Sequence, residues 1–109
     1  MQTLIQVFCN PNTSVSLRKQ IAKDPKIENH YLTLTKEKSN SRANGWAKIS
    51  STRGAGSLNI EWDGNSHMLY ARIVNRGSGS PSMIMADFIE YLFTNYQSLI
   101  KTVNIVPIK

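Results

Sequence analysis

In residues 30–38, "HYLTLTKEK", apolar and polar side chains alternate: Leu32 and Leu34 point one way, while Tyr31, Thr33 and Thr35 point the other. Period two predicts a half-buried strand. Four more stretches, "TLIQVFCN", "WAKISS", "SLNIEW" and "HMLYARIV", carry the branched and aromatic residues of strands. A sixth, "VNIVPI", is predicted to lie at a sheet edge, because Pro107 has no N–H to give to a ladder. The pattern changes to helical spacing twice. "NTSVSLRKQIAKDP" offers Asn12 or Thr13 as N-cap, apolar positions at Val15, Leu17, Ile21 and Ala22, and a stop at Pro25. Arg18, Lys19 and Lys23 fall mainly on its wet side. "SPSMIMADFIEYLFTNYQSLIK" predicts a long C-terminal amphipathic helix beginning at Ser80 or Ser82, with Asp87 and Glu90 on a solvated polar stripe.

The predicted order is therefore β-α-β-β-β-β-α-β within one domain spanning residues 1–109. That order defines an α+β class, a mostly antiparallel sheet packed against the long helix. "DGNS" joins two of the strands, and either Gly64-Asn65 or Asp63-Gly64 makes a two-residue hairpin turn. The first choice pairs Leu58 with Ala71, Ile60 with Leu69 and Trp62 with His67 on an inner face. The second moves the register by two, so every side chain keeps its face. A four-residue loop, Arg53 to Gly56, places Ala47, Ile49 and Ser51 on that inner face and sets Lys48 opposite Glu61. The outer face then carries Trp46, Lys48, Met68, Tyr70 and Arg72, with Tyr31 if strand 31–36 is a neighbour.

Composition narrows the class. Apolar residues are 40% and charged residues 18% of the 109, an ordinary globular balance. The single cysteine, Cys9, excludes an internal disulfide framework, reads as a small buried side chain and points to a reducing compartment. The start of the chain lacks the features of a signal peptide and no stretch is long enough to span a membrane, so a cytoplasmic location is expected. The net charge is +6, and all of the excess sits in residues 1–53, which hold nine basic and three acidic side chains. Such asymmetry points to an anionic partner such as nucleic acid or a membrane surface.

The chemistry on offer is chiefly basic and aromatic. "TRGAGS" (52–57) and "NRGSGS" (75–80) share the skeleton Arg-Gly-x-Gly-Ser, which suits phosphate contact through guanidinium and backbone N–H groups and equally suits two turns. Neither has the spacing of a nucleotide-binding fingerprint. The hairpin brings both loops to one end of the sheet, with Arg53 and Arg76 as neighbours.

Rings interleaved with cations on an open sheet face form a base-stacking and phosphate-binding platform. The expectation is a small, non-enzymatic nucleic-acid-binding protein without cofactor, taking DNA or RNA, single-stranded by preference. Its candidate contacts are Arg42, Trp46, Lys48, Arg53, Tyr70, Arg72 and Arg76. The competing reading is a protein-interaction module, inhibitor-like or a homodimer, with Trp46, Met68 and Tyr70 as anchors. His30 and His67 are isolated, without metal-ligand spacing. Glu61 and Asp63 could aim two carboxylates at a divalent metal in a nuclease, which stands third.

Overall fold

The computed structural model describes residues 2–12, 16–38, 45–74 and 81–108. Its elements are β1 (Gln2–Cys9), α1 (Leu17–Lys23), β2 (Leu32–Lys38), β3 (Trp46–Ser51), β4 (Ser57–Asp63), β5 (Met68–Val74), α2 (Ser82–Asn95) and β6 (Ile100–Ile108), with 3-10 turns at Pro25–His30 and Gln97–Leu99. All neighbouring strands are antiparallel, in the spatial order β2-β3-β4-β5-β1-β6. This is the expected α+β class. Local pattern did not show that β1 would insert between β5 and β6, which makes β6 an edge strand, as Pro107 requires.

One core lies between the sheet's inner face and the helices. Ile5, Val7, Ala47, Ile49, Leu58, Ile60, Leu69, Ala71 and Ile73 face Leu17 and Ile21 of α1 and Ile84, Phe88, Tyr91 and Leu92 of α2. Burying branched side chains from both layers supplies the main driving force. Cys9 belongs to this core, and burial pushes its thiol up, away from the reactive thiolate.

Both helices differ from expectation. The N-cap of α1 is Ser16, whose Oγ accepts from the Lys19 N–H at 3.3 Å, so the helix starts later than Asn12 or Thr13 would set it. Arg18 is buried rather than wet, and its Nη1 donates to Glu37 at 3.2 Å. Gly45 packs against this guanidinium and against the Lys38 carbonyl, too closely for any Cβ. α2 stops at Asn95, whose side chain turns back to the Tyr91 carbonyl at 3.0 Å, and residues 100–101 belong to β6. Its buried stripe is Ile84, Asp87, Phe88, Tyr91 and Leu92, leaving Met83 and Phe93 exposed.

Asp24 fastens the first 3-10 turn to α2. Its Oδ1 accepts from the Lys26 N–H at 3.0 Å, and its Oδ2 accepts from the hydroxyls of Tyr91 and Tyr96 at 2.9 and 2.8 Å. Burial pushes the Asp24 carboxyl up, but the Lys26 N–H and the Tyr96 and Tyr91 hydroxyls outweigh it and hold the carboxyl below its usual value. A lowered folded-state pKa adds stability above the unfolded value, near 3.9, and that stability is lost as pH falls through the folded value. Thermal melts at pH 7 and pH 3 should therefore differ less in Asp24→Asn than in the unaltered protein. Equal differences in the two proteins would show that the clasp contributes nothing to acid sensitivity.

Candidate nucleic-acid interface

Two registers place the candidate residues. In the β4–β5 hairpin, Asp63 pairs with Met68, so the connection is Gly64 to His67 rather than a two-residue turn. Asp63 organises it as an Asx turn: Oδ1 accepts from the Asn65 N–H at 3.0 Å and Oδ2 from the Ser66 hydroxyl at 2.8 Å, while His67 closes it at φ 51°. The register therefore moves by two from the one expected, with Ile60 opposite Ala71, and every side chain keeps its face.

At the β3–β4 connection, Ser51 N–H donates to the Gly56 carbonyl, and Gly56 takes φ 118°, which a side chain would rarely allow. Here too the register moves by two. Lys48 lies opposite Asn59, not Glu61, and Trp46 takes the place opposite Glu61. The expected Lys48–Glu61 pair does not form.

Combining the ladders gives straight rungs across the outer face. One rung runs Lys38, Trp46, Glu61, Tyr70, Gln6, Asn104; the next runs Lys36, Lys48, Asn59, Arg72, Leu4, Val106. Among the described residues no helix covers this face, since α1 and α2 both contribute to the core on the other side. Arg72 and Glu61 are exposed, while Trp46, Lys48, Asn59 and Tyr70 are half-buried against their neighbours.

Two shallow hollows of about 360 Å³ each open side by side. One is lined by Lys36, Trp46, Lys48, Asn59 and Glu61, the other by Leu4, Asn59, Glu61, Tyr70 and Arg72. Each holds one aromatic ring and at least one cation, and Asn59 and Glu61 form the wall between them.

Lys36 and Lys38 are additions that strict alternation along β2 would have hidden. Between Leu34 and Lys36 the pairing slips by one residue, a β-bulge at Thr35. Before it, Leu34 shares the inner face with Ile49; after it, Lys36 and Lys38 share the outer face with Lys48 and Trp46, and Glu37 turns inward to Arg18. Lys36 then stands directly opposite Lys48, a like-charged pair that is unfavourable unless an anion lies over it.

Four expectations need revision. Tyr31 is not on the outer face: it closes the 3-10 turn at φ 61°, and its ring lies 4.0 Å below the Arg53 guanidinium. Arg53 reaches α2, donating from Nε to Asp87 Oδ2 at 3.1 Å and from Nη2 to Asp87 Oδ1 at 2.6 Å. Asp87 is thus buried at 4% exposure, not part of a solvated stripe. Met68 is buried as well, opposite Asp63 and Phe8, and offers no exposed anchor.

The stems of the two Arg-Gly loops do meet, where Ser57 pairs with Val74. Arg42 and Arg76 lie outside the described residues. Among the described residues, no three His, Cys, Asp or Glu side chains gather to hold a metal, and no helix is long and apolar enough to cross a membrane.

No protein-family model, curated protein or solved structure matches this chain.

Proposed function

We propose that the protein binds single-stranded nucleic acid on the outer face of its sheet, without catalysis or cofactor, in the cytoplasm. The carrying observation is the adjacency of two rungs: the cations Lys36, Lys48 and Arg72 on one, the rings of Trp46 and Tyr70 on the next. Phosphates along the first rung relieve the opposition of Lys36 and Lys48. Bases entering the hollows stack on the rings, a contact that tolerates sequence because every base has a π-face. A duplex presents its bases already stacked and paired, so the rings favour a single strand. Arg42 and Arg76 join as further phosphate contacts, whereas Arg53, held by Asp87, serves the fold.

Protein association through the same face is the second reading. It draws on the apolar end of the cationic rung, where Leu4 neighbours the exposed Val106. A nuclease ranks below both, because Asp63 spends both carboxylate oxygens on its own turn.

The test is a salt-titrated binding assay with single- and double-stranded DNA and RNA, accompanied by native mass. A tighter single-strand complex is expected, with log K falling against log salt at a slope of about −3.5 for five phosphate contacts. Absence of binding at low salt, or affinity indifferent to salt, removes the proposal; a stable dimer that masks the face favours protein association instead.

A further inference from the structure

One carboxylate stands in the middle of this basic and aromatic face. Glu61 is exposed, lies directly between Trp46 and Tyr70 across the ladder, and forms part of the wall shared by both hollows. The ion pairs among the described residues, Arg18 with Glu37 and Arg53 with Asp87, do not include it. The Lys48 partner expected from the sequence is displaced by one rung. A free carboxylate repels phosphate, so on a phosphate-binding face it weakens binding unless it meets a hydrogen-bond donor of the ligand.

We infer that Glu61 is a specificity residue that selects guanine in one of the two hollows. This rests on the nucleic-acid reading above and adds to it. Strand spacing places Trp46 and Tyr70 on either side of Glu61, about 10 Å from each other, so a base stacked on either ring presents its edge toward the carboxylate. The exposed edge of unpaired guanine offers N1–H and N2–H side by side, two parallel donors that match the two oxygens of a carboxylate. Cytosine and adenine offer one amino group beside a ring acceptor. Uracil and thymine offer one N–H flanked by two carbonyls, which the carboxylate repels. The preference is therefore for guanine, with uracil and thymine last. Lys48 and Arg72, one rung away, remain with the phosphates.

The experiment compares a short oligouridine with the same strand carrying one central guanosine, inosine, cytidine or adenosine. It uses the unaltered protein and Glu61→Gln, and circular dichroism checks that both are folded. One guanosine should tighten binding by on the order of tenfold, the size of a bidentate base contact. Inosine, which keeps N1–H and lacks the amino group, should lose most of that gain. In Glu61→Gln the preference should vanish while the plain oligouridine binds more tightly, since a negative charge has left the face. A protein that binds all strands without favouring guanosine overturns the inference alone, as does a preference that survives Glu61→Gln. A folded protein that binds none of them at low salt overturns the nucleic-acid reading itself, and the inference with it.

Discussion

Arg53→Ala should lower the thermal midpoint by on the order of 10 °C, a large effect for an arginine in a surface loop. The cause lies at its partner. Asp87 is 4% exposed and receives two charge-assisted hydrogen bonds from the one guanidinium. Truncating Arg53 leaves that carboxylate inside the protein with its counter-charge gone, and it uncovers the Tyr31 ring beneath. Arg53→Lys should not restore stability, because an ammonium cannot supply the paired fork. Adding Asp87→Asn to Arg53→Ala should recover part of the loss, since no net charge is then stranded. An unchanged melting curve for Arg53→Ala would show that water reaches Asp87 well enough to replace its partner.

The opposite signature is expected on the outer face. A Lys36→Ala, Lys48→Ala, Arg72→Ala triple variant should lose single-strand affinity by on the order of 100-fold at low salt, and its salt slope should become shallower by about 2. Its melting temperature should hold or rise, because the substitution removes a like-charged cross-strand pair. Cations that are useful to a ligand and unhelpful to the fold behave this way. Salt-titrated fluorescence anisotropy and a thermal melt on the same sample separate the two effects. Lost affinity with an unchanged slope would mean that these side chains do not touch phosphate.

The first Arg-Gly-x-Gly-Ser copy has a task in the fold. Arg53 is committed to α2, and the first copy works as a turn whose arginine secures a buried acid.

Much of this was legible in the chain because parity is robust. Both hairpin registers differ by two from the expected ones, yet Ala47, Ile49, Leu58 and Ile60 are still inside, and Trp46, Lys48, Tyr70 and Arg72 are still outside. What parity cannot reveal is a place where it breaks. The bulge at Thr35 has no sequence mark as strong as a glycine or proline, and through it Lys36 and Lys38 reach the outer face while Glu37 meets Arg18. Asp87 was hidden for another reason. Apolar residues occupy so much of residues 84–93 that more than one stripe fits, and an acid within the true stripe is indistinguishable from a solvated one until its partner is known. That partner is 34 residues away in sequence, where no local pattern reaches.

β1 has a consequence for the order of assembly. Its residues pair on one side with β5 and on the other with β6, so that Gln2 lies opposite both Val74 and Ile108. Closing such distant segments costs chain entropy before any contact rewards it. A nascent chain can form the β3–β4 and β4–β5 hairpins, and with them the Trp46–Glu61–Tyr70 rung of the outer face, while β1 still waits for β6. The centre of the outer face can thus take shape on the ribosome before the sheet that supports it is complete.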